Sequence, residues 1–420
     1  MGNRPRDSSA LRRLAGTSIE GDPMAPAVRT RVAIVGAGPA GLFLSHLLHR
    51  DGIESIVLDN RSRQDIEKTI RAGILEHGTV DLLVETGASE RVLVDGRRHD
   101  GIELQFQGAG HRIDFERLVG RSVHLYPQHE VLKDLLARRL EDGGDIRFEH
   151  EALEVLDADT DTPRVIARDV SAGGSGEQVE IVADFVIGAD GSRSVTRTAV
   201  VGSMTGGYYR EYPFAWFGIL CEAPPSSEEL IYANSEQGFA LISQRSPTVQ
   251  RMYLQCEPEQ DPAEWSDAQI WDSLQSRVAG RTLHEGPIFQ RDVLRFRSFV
   301  AHRLQKGRVF LMGDAAHTVP PTGAKGMNLA INDVRILHEG LAAFFATGST
   351  AGVDAYEERA LHRIWRAQHF SWWMTNMLHL TPDASDFDRR RQIGELESVV
   401  SSDAGSTYLA EAYTGWPYED

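Results

Sequence analysis

The hydrophobic pattern of the chain first becomes regular at Arg31 to Val35, a β-branched apolar run that stops at GAGPAGL. An amphipathic stretch then runs through Leu48, and a second apolar run follows from Ser55 to Leu58. This order predicts strand, tight turn, helix and strand. Thr79 to Val92 reads as a helix, and apolar and polar positions alternate from Ile102 to Val123 as in a β-hairpin. Leu125 to Leu140 reads as a helix with Gln128 near its start. Ile146 to Val155, Arg164 to Asp169 and Gln178 to Ile187 read as three strands, the last entering IGADGSRS. From Phe214 to Leu254 the alternation is aromatic-rich, which predicts an antiparallel sheet forming a layer separate from the parallel one. A helix over Trp265 to Val278, strands in LRFRSFV and GRVFLMG, and helices over Asn332 to Phe345 and Ala355 to Met377 complete the pattern.

The expected fold is therefore α/β: a Rossmann-like dinucleotide-binding domain with a mainly parallel sheet, a largely antiparallel β substrate domain, and C-terminal helices. The expected boundaries are a disordered tail at 1–29, a discontinuous nucleotide domain at 30–100, 124–204 and 290–330, a substrate domain at 101–123 and 205–289, and a helical interface region at 331–420.

Composition narrows the function. A chain of 420 residues exceeds the size at which one core stops growing, roughly 250 to 300 residues. No apolar run approaches the roughly 18 residues that span a bilayer. The net charge of −17, with 44 basic against 61 acidic residues, argues against nucleic acid, and an anionic substrate would need a local arginine cluster. Cys221 and Cys256 alone give neither a disulfide framework nor a thiolate metal site, so no metal and a reducing cytoplasm are expected. The first 29 residues carry Arg4, Arg6, Arg12 and Arg13 without the apolar centre of a secretory signal, and Met24 is an alternative start.

Three places carry candidate chemistry. Gly36, Gly38 and Gly41 have the GxGxxG spacing between strand and helix, and Asp59 ends the second strand where a ribose hydroxyl is expected; the alternative is a glycine-rich turn with Asp59 capping a strand. Asp190-Gly191 is a second cofactor contact or a plain turn. In FLMGDAAHTVPPTGAKGMNLA, Asp314 follows a glycine and the chain turns through Pro320 and Pro321 into a helix across Gly323 and Gly326. Ser243, Arg245, Arg251 and Tyr253 fall close together on a predicted hairpin, where they form either a carboxylate clamp or routine surface polarity. Arg71 is a surface salt-bridge partner on its residue type alone. Trp372 and Trp373 read as core or interface.

The motifs GAGPAG, GADG and GDAAH with PPTGAKGMN, in this order, resemble those of the single-component flavoprotein aromatic hydroxylases, and RAGILEHG, LIYAN, FALISQRS, FSWWMT and WPYED extend the resemblance to the C-terminus. It implies non-covalent FAD, reduction by NADH or NADPH, reaction with O2 to a flavin hydroperoxide, and hydroxylation of 4-hydroxybenzoate ortho to its phenol. The alternatives are a related benzoate such as 4-aminobenzoate or, from another class, an inert dinucleotide-binding module. By resemblance, Gly36, Gly38, Gly41 and Asp59 take the ADP part, Gln128, Asp190, Asp314, Lys325, Gly326, Met327 and Asn328 the flavin and ribityl chain, and Arg71 moves with the flavin. Ser243, Arg245 and Tyr253 hold the carboxylate, with Arg251 near the flavin. Tyr232 and the Pro321 carbonyl meet the phenol, and Tyr413 and His99 relay its proton, His99 titrating near neutrality. Asn60, Arg61, Arg193 and Arg297 are the expected candidates for nicotinamide contacts. Asp65 and Glu67 beside Asn60 and Arg61 favour NADH at least as much as NADPH. Thr69 departs from an arginine usual two positions before Arg71. A homodimer is expected, with no nucleic-acid or membrane partner.

Overall fold

A computed structural model describes residues 27–68, 73–174 and 176–418. The tail to residue 26 and Arg71 lie outside these. The strand Val28–Val35 pairs in parallel with Gln178–Gly188 on one side and Ser55–Leu58 on the other. Val28 and Arg29, assigned above to the tail, are therefore sheet residues, because Val28 pairs with Ile181 and Arg29 with Val182. Val309–Leu311 and Asp145–Arg147 extend the parallel run at either end. Arg164–Asp169, His150–Leu156 and Gln305–Lys306 add antiparallel strands. Val32, Ala33 and Ile34 are fully buried, as expected of a parallel strand covered on both faces.

The second sheet runs in the order 317–318, 288–301, 207–222, 249–256, 238–246, 231–235, 101–106 and 109–114. It is antiparallel except where 231–235 lies parallel to 101–106. Ile288–Ala301 was expected in the nucleotide domain, yet it pairs along the length of Gly207–Glu222 and so belongs to this sheet. The stretch 101–123 is a hairpin only to Asp114. Phe115–Val119 is a helix, started by Asp114 accepting a hydrogen bond from the Arg117 N–H. A small third sheet joins Ile74–Leu75, Val123–Leu125 and Arg97–His99.

Alternation along these strands sorts side chains between two cores. Trp216, Tyr232, Phe239, Leu241 and Tyr253 face the main core, while Phe217, Ile231, Ala240, Ile242 and Met252 face a smaller one. The helix Asp267–Arg277, begun by a Ser266/Gln269 capping box, closes that smaller core with Ile270, Trp271 and Leu274. Burying each of those side chains contributes roughly 1.5–3 kcal/mol. The long helices Gly326–Thr347 and Tyr356–Leu378 lie in the region expected to be helical, followed by Asp386–Val400 and Asp403–Thr414. No helix among the described residues is long and apolar enough to cross a membrane.

Candidate active site

A cleft of about 770 Å³ opens at the ends of the parallel strands, lined among others by Gly36, Gly38, Asp59, Gln128, Asp190, Asp314, Gly326 and Met327. Its glycines have distinct reasons. Gly36 has φ +109°, and a Cβ there would lie 2.2 Å from the Ala189 carbonyl oxygen. A Cβ on Gly41 would lie 1.9 Å from the Gly36 oxygen, so the first helix can pack against the turn only without one. At Gly38 a Cβ would meet nothing within 4 Å; its bareness keeps the cleft open rather than the fold closed. The helices Pro39–Arg50 and Gly326–Thr347 both begin at the cleft without a side-chain cap, leaving first-turn N–H groups for an anion or a polar ring edge.

Asp59 accepts from the Ala37 N–H at 2.8 Å and is gripped by Arg61, Nε to Oδ1 and Nη2 to Oδ2, each at 2.9 Å. Arg61 thus reaches the cleft by clasping Asp59, and Asn60 beside it also lines the cleft. Asp65 accepts from Ser62 and Glu67 pairs with Arg63, so both carboxylates have local partners. Arg193 lines the cleft, whereas Arg297 lies opposite Glu211 on the long outer strand and is not among the lining residues. Asp190 Oδ2 accepts from the backbone and hydroxyl of Thr196. Its Oδ1 is buried with no partner among the described residues, an acceptor suited to a ligand donor, and burial raises the acid above its ordinary pKa.

Arg197 is a residue that sequence reasoning missed. Its buried guanidinium donates to the carbonyls of Ala315 at 2.7 Å, Asp314 at 2.9 Å, Met204 at 2.9 Å and Ser192 at 3.1 Å. It ties the Asp190 loop to the Asp314 loop, and nothing in SVTRTAV signalled that. Behind Asp314, His317 and Asp333 meet at 2.6 Å, and Asp333 also accepts from the Gly313 N–H at 2.9 Å. Burial opposes charge on His317, but Asp333 outweighs it and raises the imidazole's pKa.

Lys325 and Asn328 reach the loop differently from expectation. Lys325 Nζ is buried, 2.6 Å from Glu76 Oε1 and 3.1 Å from the Tyr413 carbonyl, and burial lowers its pKa. Asn328 accepts from the Glu76 N–H and donates to the carbonyls of Ile74 and Ala324. Both side chains are spent on holding the loop to its neighbours, which leaves their backbone for a cofactor. Ala324 adopts φ +53°, a left-handed non-glycine conformation at the helix entry.

The substrate candidates gather on the main-core face of the antiparallel sheet. Tyr232 and Tyr253 both sit opposite Leu241, from either side, and Ser243 sits opposite Arg251. Two strand spacings put the Tyr232 and Tyr253 backbones about 10 Å apart. Ser243 Oγ donates to the Arg251 carbonyl at 2.6 Å. Arg251 stacks over Tyr253, 4.8 Å from its ring centre, and donates to Asp292 at 2.8 Å. Arg245 and Arg251 share the Tyr253 hydroxyl as a hydrogen-bond partner, and each keeps a buried Nε without a partner among the described residues. Burial lowers the Arg245 pKa, as expected for a cation awaiting an anion.

The Tyr232 and Tyr413 hydroxyls are 2.7 Å apart, each residue 1% exposed, and burial raises both phenol pKa values. Tyr413 ends the last helix and stacks on Phe115 at 5.2 Å. The Pro321 carbonyl accepts from the Ala324 N–H at 2.9 Å and retains a second lone pair. His99 corrects an expectation. Burial, with Arg97 and His124 nearby, pushes its pKa down to about 4 against the opposing pull of Glu229 and Asp100, so it does not titrate near neutrality.

A glycine turn, a carboxylate at the end of the neighbouring strand and two open helix starts line the cleft, and the antiparallel sheet carries a buried phenol pair together with two buried arginines. Residues 29–371 match the FAD binding domain family, and the chain belongs to this family of flavoprotein hydroxylases. It is 40% identical over 396 residues to the p-hydroxybenzoate hydroxylase of Acinetobacter baylyi, covering 93% of this chain and 96% of that one. It is 30% identical over 331 residues to a 6-methylpretetramide 4-monooxygenase of Streptomyces rimosus, covering 75% and 76%. The fold is shared with p-nitrophenol 4-monooxygenase of Pseudomonas putida, at TM-score 0.76 and 18% identity, over 94% of this chain and all of that one.

Proposed function

We propose that this chain hydroxylates 4-hydroxybenzoate at position 3, giving 3,4-dihydroxybenzoate, with FAD, O2 and NADH or NADPH. The observation that carries the reading is the Tyr232–Tyr413 pair on the same sheet face as Ser243, Arg251 and Tyr253, about two strand spacings away. A carboxylate held by Arg245, Tyr253 and Ser243, whose hydroxyl turns its proton from the Arg251 carbonyl to the substrate, directs a para hydroxyl toward Tyr232. Bound FAD supplies hydride acceptance from the nicotinamide and activation of O2 to an electrophilic oxygen. The chain binds the ADP part at Gly36, Gly38, Gly41 and Asp59, and the flavin end at Gln128, Asp190, Asp314, Gly326, Met327 and the backbones of Lys325 and Asn328. Arg71, expected by resemblance to move with the flavin, lies outside the described residues.

The substrate phenol, with an ordinary pKa near 10, must lose its proton to become a strong donor ring. Tyr232 Oη accepts that proton as it passes its own to Tyr413, and Tyr413 releases its own outward along the relay that His99 ends; Tyr232 then donates to the phenolate and Tyr413 to Tyr232. The Pro321 carbonyl orients the hydroxyl before the proton leaves. Asp65 and Glu67, close to Arg61, disfavour a 2′-phosphate, so NADH is used at least as well as NADPH. The exposed Trp365, Trp372 and Tyr408 on the C-terminal helices suit a homodimer interface, and the two cysteines, with no disulfide framework, suit a reducing cytoplasm.

The test is purification, a flavin spectrum, and oxidation of NADH and NADPH at equal concentrations with 4-hydroxybenzoate, 4-aminobenzoate and 3-hydroxybenzoate, with products identified. Formation of 3,4-dihydroxybenzoate coupled to NADH oxidation is expected. Product from only one of the other acids overturns the substrate, and a strong NADPH preference overturns the nicotinamide assignment. Light scattering of the eluted protein tests the dimer.

A further inference from the structure

Between the clamp residues Ser243 and Arg245 lies Gln244, only 3% exposed, whose amide is bonded at both ends. Its Oε1 accepts from Arg97 Nη1. Its Nε2 donates to the Glu228 carbonyl at 3.0 Å and lies 3.1 Å from His99 Nε2. A guanidinium has no acceptor and a carbonyl has no donor, so Arg97 and Glu228 together fix which end of the amide is oxygen and which is nitrogen. An amide nitrogen cannot accept a hydrogen bond. His99 Nε2 must then be the acceptor, a bare lone pair facing an N–H. A neutral imidazole carries one proton, which leaves it on Nδ1, a buried atom with no partner among the described residues.

We propose that Gln244 is a positioning residue that locks His99 in the Nδ1–H tautomer and keeps Nε2 from accepting a proton while the Arg97–Gln244–Glu228 arrangement holds. The locked His99 acts as a hydrogen-bond donor through Nδ1, not as a base, which bears on catalysis in so far as His99 ends the phenol relay proposed above. To take up a proton, His99 needs the Gln244 N–H to leave Nε2. The added proton then sits on Nε2, and the imidazolium can release the one on Nδ1. Turning the amide would set its NH2 against the Arg97 guanidinium, so the lock is held from outside the imidazole. The charged and titratable groups facing His99 are Arg97 and Asp100 beside it in sequence, His124 from the neighbouring strand and Glu229 from the segment before Ile231. Without Gln244, these groups and burial alone would set the protonation of His99.

The experiment is nitrogen NMR of the FAD-loaded full chain with ¹⁵N-labelled histidine, His99 being assigned by the signal lost in His99→Asn. In the wild type, His99 is expected to show a protonated Nδ1 and a bare Nε2 at neutral pH. In Gln244→Glu a carboxylate oxygen replaces the donor, so the proton should move to Nε2 and the titration midpoint should rise by about 1 to 3 pH units. Gln244→Met, similar in size but unable to donate, should give a mixture of tautomers. A wild-type Nε2–H signal overturns the proposal, as does a Gln244→Glu protein whose His99 keeps both its tautomer and its midpoint. These readouts need no turnover. Absence of 3,4-dihydroxybenzoate from the wild-type reaction counts against the proposed function and leaves the tautomer assignment standing.

Discussion

Around the nucleotide cleft the shape is set by backbone, with bare glycines, two uncapped helix starts and loops tied by Arg197, and carboxylates such as Asp59, Asp190 and Asp314 stand at its rim. On the antiparallel sheet the ligand-facing groups are side chains from separate segments, with Tyr232, Ser243, Arg245 and Tyr253 on three strands and Tyr413 at the end of the last helix. A backbone site tolerates changes of side chain but no added bulk, because its shape comes from close approach. A side-chain site tolerates conservative packing changes but no loss of a polar group, because each buried hydroxyl or guanidinium stands where its loss leaves a charge or lone pair unpaired. The two regions should therefore fail in different ways.

The largest effect is expected at Gly41. Gly41→Ala forces a Cβ to within 1.9 Å of a backbone oxygen, so the turn or the helix must shift. A loss of at least about 3 kcal/mol and of bound flavin is expected, read by thermal melting and flavin absorbance. Gly38→Ala, with open space around its Cβ, should keep the fold and weaken only FAD. Equal melting loss in both would erase the contrast between fold glycine and ligand glycine.

At the substrate end, Tyr232→Phe removes one hydroxyl and keeps the ring. Product formation should fall by about a hundredfold or more while NADH oxidation continues, with oxygen released as peroxide. Normal coupling in that variant would sink the phenol relay.

Acid should act next, through the aromatic cluster behind Tyr232. His379 stacks on Phe239 at 4.2 Å and accepts from Trp216 Nε1 at 2.6 Å, and burial pushes its pKa down to about 3. A histidine depressed by folding is neutral in the folded chain and protonates first in the unfolded one. Its contribution is therefore full above about pH 6.5 and is lost as pH falls toward 3, amounting to on the order of 3 kcal/mol by pH 4. His99 adds to the same window, down to about pH 4. Denaturant melts at pH 7.5 and 4.5 should show the loss, and His379→Gln should lessen it. A flat profile would mean that the cluster is wetter than its packing indicates.

The smallest effect is expected for Arg245→Lys, which keeps the charge and loses the two-pronged geometry. The KM for the aromatic acid should rise by about tenfold with kcat changed less, because uniform binding is lost. A fall in kcat at constant KM would move Arg245 from the clamp to the chemistry.

The nucleotide half was legible in the sequence because its chemistry is local. Gly36, Gly38 and Gly41 lie within one turn, and Asp59 ends the next strand. Hydrophobic period alone set strand against helix there. The clamp was half legible, since Ser243 to Tyr253 form one hairpin, but the phenols Tyr232 and Tyr413 were suggested beside it only by resemblance. Lys325 was read toward the cofactor, and only packing shows its ammonium spent on Glu76 and the Tyr413 carbonyl.

Patterning and the glycine spacing by themselves determined the α/β architecture with its separate parallel and antiparallel layers and the place of the glycine turn between strand and helix, because a residue's face and a turn's geometry depend on near neighbours. Tertiary structure alone decided that Ile288–Ala301 joins the substrate sheet, that Arg197 binds two distant loops, and that Gln244 meets His99 across 145 positions of chain. Each of these depends on which surfaces are buried together and on the desolvation that burial imposes, as in the depressed pKa of His99.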